Sequence, residues 1–172
     1  MRSVIGCLVV GAALACGDGT GPEPGTFSAT VSGDLSLTLS GEAVFAADTI
    51  EGNALFAIAL IRGDVGTTDN DIILIGRETL ARPGSGAYPI VSGFCTDCSA
   101  DDFDAALAIV RADDLGAYVS ESGTLTISSS SADRIVGSGT MTLTAFISFQ
   151  DAQDIAIELS FEAVPGELPS PN

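Results

Sequence analysis

From Phe27 onward, apolar residues recur at every second position, the spacing that places side chains on one face of a β-strand. Phe27, Ala29 and Val31 alternate with Ser28, Thr30 and Ser32, and Leu35, Leu37 and Leu39 alternate with Ser36, Thr38 and Ser40. Gly33-Asp34 between these runs predicts a tight turn. Towards the C-terminus, Leu125 and Ile127 alternate with threonine and serine. Met141, Leu143, Ala145, Ile147 and Phe149 line one face of the next segment, and Ile155, Ile157, Leu159 and Phe161 line the last. The opposite faces carry Thr140, Thr142 and Thr144, then Glu158, Ser160 and Glu162, the apolar-in, polar-out pattern of antiparallel sheets. Ser122-Gly123, Gly137-Ser138-Gly139 and Asp151-Ala152-Gln153 read as the turns between strands.

The middle of the chain is patterned differently. Ala54 to Ile61 and Asp71 to Ile75 are apolar on both faces, consistent with central strands or with buried helix. Asp102 to Arg111 has the alanine content of a helix and a capping Ser99, but turn residues bound it closely and favour a strand from Ala106 to Arg111. Nine or ten short strands without a fixed repeat predict an all-β fold, either an antiparallel sandwich or an up-and-down, calycin-like barrel.

The first residues have a different purpose. Arg2 precedes an apolar run from Val4 to Ala15, which is too short to span a bilayer but has the length of a signal-peptide core. Gly17 to Gly25 is polar, rich in glycine and proline, and reads as a flexible tether. The segment Ala13-Leu14-Ala15-Cys16 resembles the lipobox of bacterial lipoproteins, in which a small residue precedes a cysteine that is lipidated before signal peptidase II cuts. Ala15 and Cys16 match that pattern; Ala13 stands where the family prefers leucine. The resemblance implies a signal peptide over 1–15 and lipidation at Cys16 with a tether over 16–25, and the alternation beyond it predicts a single all-β domain over 26–165 with a tail over 166–172. The resemblance also implies attachment to the membrane through an N-terminal lipid in the cell envelope, with the outer membrane favoured because Gly17 rather than aspartate follows the cysteine.

Charge narrows the partners. The chain has 23 acidic residues and six basic ones, all arginine, with no lysine or histidine. Loss of Arg2 with the leader leaves a net charge of −18. Nucleic acids and anionic lipid surfaces are bound through clustered basic residues, so neither is an expected partner. The acidity provides solubility through self-repulsion, or suits a saline habitat.

Cys95-Thr96-Asp97-Cys98 is the one sharp local motif. Cys7 leaves with the leader and Cys16 takes the lipid, so Cys95 and Cys98 have each other as partners, and an oxidising compartment favours a disulfide. Such a short loop contributes roughly 2 kcal/mol in the chain-entropy picture, so the clip pins its surroundings more than it stabilises the fold. A thioredoxin-like dithiol would need a βαβ context, and zinc would need two further ligands. Asp97, Asp101, Asp102 and Asp104 cluster beside the motif, and Asp64, Asp69, Asn70 and Asp71 form a second cluster. Neither has the spacing of an EF-hand, and no metal or cofactor is expected.

Without histidine or lysine, the common base-nucleophile pairs are unavailable, and no nucleophile-elbow or phosphate-loop motif occurs. No catalytic residue is therefore assigned. The expected function is a non-enzymatic, membrane-tethered binding or structural module with an unidentified protein or small-molecule partner. A calycin-like carrier of an apolar ligand and a carboxylate-dependent hydrolase are the two alternatives. Tyr88, Tyr118 and the arginines are the remaining binding candidates, and the absence of Trp leaves few aromatic platforms for sugars.

Overall fold

The computed structural model describes residues 25–50, 52–93, 99–112 and 114–169. Nine strands follow in order: β1 (Gly25–Gly33), β2 (Leu37–Ile50), β3 (Asn53–Arg62), β4 (Asp69–Arg77), β5 (Gly86–Ile90), β6 (Asp104–Arg111), β7 (Asp114–Ser130), β8 (Ile135–Ile147) and β9 (Asp154–Pro165). Sequential neighbours pair antiparallel from β1 to β4 and from β6 to β9, β4 pairs with β6, and β9 returns to β1. The sheet thereby closes into an up-and-down barrel of eight staves, which decides between the two predicted all-β architectures. Closure also removes the unpaired edges that an open sheet of this composition would expose.

The ninth strand does not add a stave. β5 pairs with the second half of β7, Tyr88 opposite Leu125, while β6 pairs with the first half, Leu107 opposite Tyr118. β5 and β6 thus lie end to end along one edge of β7, a single stave interrupted by the insert that follows Ile90. Phe103 bridges the break: its N–H donates to the Pro89 carbonyl and its carbonyl accepts from the Val91 N–H.

Eight staves enclose a space that side chains can just fill. Phe27, Phe45, Phe56, Leu107, Leu125, Leu159 and Phe161 point inward and have almost no surface that water could touch, from outside or from within. Gly137 and Gly139 lie inside β8 and are not a turn; a Cβ on Gly137 would meet the Phe161 ring at 2.7 Å, so the glycine makes room for the core. Ser122-Gly123 is likewise not a turn. A register shift between Ser120 and Ser122 forms a bulge within β7 and switches the inward positions from Tyr118 and Ser120 to Leu125 and Ile127. The β7–β8 turn falls instead after Ser130, where the Ser131 N–H donates to the Arg134 carbonyl.

At the end of the barrel where β8 passes to β9, the strand stops short of the predicted Phe149. Phe146 and Ile147 are exposed, and Phe149 turns in from the loop as a plug. The Tyr118 hydroxyl holds it, accepting from the Phe149 N–H at 3.0 Å and lying 3.4 Å from the Ala152 carbonyl. Gln150 and Asp151 adopt left-handed backbone angles to make this loop. The Tyr118→Phe variant leaves the buried Phe149 N–H without an acceptor and loses about 1–3 kcal/mol of stability in urea titration. A loss well below that range would show that water replaces the hydroxyl. Asp34 ties the same end to the closing strands, its carboxylate accepting from the Gln153 and Asp154 N–H groups at 3.1 Å. Those bonds, with Asp154 the larger cause, lower the Asp34 carboxyl below its ordinary value.

Candidate functional site

Alternation along each stave leaves one set of side chains outside, and the outside has two halves. On β1, β8 and β9 the outward residues are mostly polar, among them Thr26, Ser28, Thr140, Thr142, Glu158 and Ser160. At Val44 and Ala46 of β2, through the middle of β3, β4 and β6, and on the first half of β7 they are apolar, and the register sets them in rows. Val44, Ala59, Leu74, Ala106 and Val119 form one row. Ile61, Ile72, Ala108, Ala117 and Ile147 form the next, and Val110 pairs with Leu115 beyond it. No charged residue interrupts these rows. This explains why Ala54 to Ile61 and Asp71 to Ile75 read as apolar on both faces: one face fills the barrel and the other paves its outer wall.

Part of this wall is covered by the chain itself. After β9, the Gly166 N–H donates to the Phe45 carbonyl, and the glycine lies so close to Val44 that a Cβ there would come within 2.8 Å of it. Three residues on, Pro169 borders a groove of about 590 Å³ floored by Ile72, Leu74, Ala106, Ala108 and Val110. The tail thus runs across the outside from β2 to β4. The outward Ala57 and Ala59 on the intervening β3 are fully buried. Of the row residues, Ala106 and Ile147 are exposed, and Phe146 next to Ile147 is 71% exposed.

The arginines point the other way. Arg62, Arg77 and Arg111 continue the inward phase of β3, β4 and β6 and plug the two ends of the barrel. At the end where β4 begins, Asp71 is 1% exposed and receives the Arg62 Nε together with both terminal nitrogens of Arg111, at 2.6 and 2.8 Å; Asp69 caps Arg62 from outside at 2.7 Å. The bond to Asp71 foremost, and then that to Asp69, raises the Arg62 guanidinium above its ordinary value, and the bond from Arg62 lowers the Asp69 carboxyl. Asp64, Asp69, Asn70 and Asp71 therefore make no joint ligand set: two carboxylates are engaged by arginine, and the Asn70 amide donates to the Thr67 carbonyl. At the other end the Arg77 guanidinium lies 5.1 Å from the Phe103 ring centroid and 5.8 and 5.9 Å from Tyr88 and Phe56, a cation packed among three aromatic rings. Tyr118 is buried and the Tyr88 hydroxyl donates to the Gly84 carbonyl, so neither tyrosine stands free to bind.

A second concavity, about 490 Å³, opens where β4 and β6 meet the insert and is bordered by Glu78, Asp102 and Asp104. Asp102 accepts from the Ser99 N–H, and Asp101 is exposed, 3.5 Å from Arg77. Among the described residues no three acidic or thiol groups converge as metal ligands. Cys16, Cys95, Asp97 and Cys98 lie outside the described residues. Asp104 has its carboxyl raised, chiefly by desolvation against the cleft walls, with the Glu78 charge adding to it and a backbone hydrogen bond opposing. A carboxyl raised on folding costs stability as pH rises from the ordinary value of about 3.9 through the raised one. Asp104→Asn therefore melts higher than the parent at neutral pH, and the gain shrinks at pH values below the ordinary one. Thermal melts at both pH values check this, and an equal midpoint at neutral pH would contradict it.

The apolar wall and the inward charges left signals in the sequence: two-sided apolar segments for the first, and arginines in phase with Ile58 and Leu60 or with Leu107 and Ile109 for the second. Compared with known protein families, with curated proteins and with solved structures, the chain matches none.

Proposed function

We propose that this protein is a lipid-anchored, non-enzymatic binding module of the bacterial cell envelope, tethered through Cys16 at the outer membrane and using its barrel wall as the binding surface. The observation that carries this is the charge-free outer wall. In a protein with 23 acidic residues, no described acid interrupts two adjoining rows that cross several staves, and Glu42 stands only at the end of one. Contiguous apolar surface that keeps part of its area in water marks interaction sites. The polar half of the wall, with Glu158 and Thr140 facing outward, is unlike the continuous apolar band of a barrel embedded in lipid, which fits a domain held beside the membrane rather than in it. The filled interior counts against the carrier of an apolar ligand, because such a ligand needs an inner cavity.

Metabolic labelling with a palmitate analogue tests the anchor. Label enters the parent protein and is lost in Cys16→Ala; equal labelling of the two would overturn lipidation at this residue. A second reading, a carboxylate-dependent hydrolase, is favoured by one observation: the cleft that places the raised Asp104 beside Glu78, an arrangement suited to acid-base work. Turnover of chromogenic glycosides that disappears in both Asp104→Asn and Glu78→Gln would install that reading, and turnover indifferent to both would remove it.

A further inference from the structure

The apolar wall has a rim, and the rim has one sign. Glu42 ends the row that contains Ile61 and Ile72, Asp48 stands beyond Ala46 on β2, Asp104 follows Ala106 on β6 towards the cleft, and Glu121 follows the outward Val119 on β7. Among the described residues no arginine answers them on these staves, because Arg62, Arg77 and Arg111 face inward and plug the ends. Arg134 stands on the polar side of the barrel, paired with Glu162 at 2.8 Å. The free surface is therefore an apolar floor between acidic borders. A second copy of this chain would set acids against acids. A lipid surface with anionic headgroups would be repelled in the same way.

The molecule also shows what kind of chain the floor accepts. Gly166 to Pro169 already crosses it without regular secondary structure, resting on Val44 at one end and bordering Ile72 and Leu74 at the other. The groove continues past Pro169 over Ala106, Ala108 and Val110.

We infer that the groove over β4 and β6 binds an extended, cationic amphipathic segment of a partner protein, whose apolar side chains lie on Ile72, Leu74, Ala108 and Val110 while its lysines or arginines meet the acidic rim. This rests on the binding-module reading and gives the partner its chemical class. Apolar contact with the floor supplies the affinity, and the rim supplies orientation and a salt-dependent encounter rate.

The test uses the purified mature protein and a fluorescent synthetic peptide of alternating leucine and lysine, followed by anisotropy. The same peptide with glutamate for lysine is the control. The lysine peptide binds, high salt weakens it, and the glutamate peptide does not bind. Ala108→Glu places a carboxylate on the floor and weakens binding by about tenfold or more, whereas Thr140→Glu on the polar wall leaves it unchanged. Purely electrostatic association would be strengthened by either added acid, so the loss at Ala108 isolates the floor. Val110→Ser provides the same comparison if Ala108→Glu fails to keep its parent's circular dichroism.

Equal affinity of parent and floor variants overturns the inference. So does a parent dimer in sedimentation that Ala108→Glu dissolves, or equally Ala108-dependent binding to zwitterionic vesicles. An environment-sensitive apolar dye separates the two levels. If the dye lights up on the parent but not on Ala108→Glu while the peptide fails to bind, the wall is a binding surface with a different partner. If neither probe detects the wall, the binding-module reading falls with the inference.

Discussion

Alanine in place of Asp71 lowers the free energy of unfolding by about 3–5 kcal/mol, the range observed when one partner of a buried charge pair is removed. The carboxylate is 1% exposed and is the common acceptor for Arg62 and Arg111. Without it, two guanidinium groups face each other inside the rim of the barrel, with only the exposed Asp69 to offset them. Both arginine side chains keep more than a quarter of their surface in water, so the loss falls towards the lower end of the range. Asp71→Asn retains the size and one acceptor and costs less. A triple replacement of Asp71, Arg62 and Arg111 by leucine recovers most of the loss, because removing all three charges leaves no unpaired group behind. Urea titrations of the three variants measure this. A loss below about 1 kcal/mol for Asp71→Ala would place the network among surface ion pairs and refute its role as a plug.

Phe103→Ala costs a similar amount, about 3–5 kcal/mol, as expected for an aromatic side chain deleted from a filled core. Phe103 is fully buried and meets the Tyr88 ring edge-to-face at 5.5 Å. Its removal opens a cavity at the break between β5 and β6 and takes away the nearest of the three rings around Arg77, whose Nε has no hydrogen-bond partner among the described residues. The effect is local as well as global: the Val91 amide, bonded to the Phe103 carbonyl, exchanges its proton faster than in the parent by more than the global loss explains. Phe103→Leu retains most of the volume and loses less. An unchanged Val91 exchange rate relative to neighbouring amides would show that β5 is held by β7 alone.

How far the sequence could be read depended on what each residue's environment demands. Period-two alternation marked β1, β9 and the inward Met141, Leu143 and Ala145 of β8 correctly, because a stave with one wet face must alternate, but it carried on to Ile147, which a register shift turns outward. The same rule located β3 and β4 but left helix open, since two apolar faces destroy the alternation that separates strand from helix. β6 was legible as a strand from its bounding turns. Glycine misled at Ser122-Gly123 and Gly137-Ser138-Gly139: one is a bulge that re-phases β7 and the other makes room for Phe161. β5 and the length of β2 gave no clear local signal. The acid cleft was not legible either, because Glu78 and Asp104 are brought together only by the β4–β6 pairing.

Local patterning was thus enough for the all-β class, for most strand positions and for which side of each polar-faced strand is wet, since these follow from alternation along a single strand and need no knowledge of its neighbours. Closure into eight staves, the end-to-end placement of β5 and β6, the Asp71 plug and the assembly of scattered alanines, valines and isoleucines into one outer wall were decided by pairing between distant segments. Register between strands is a long-range property: a residue's neighbours across the sheet are set by which strands meet and at what offset, and no window along the chain contains that information.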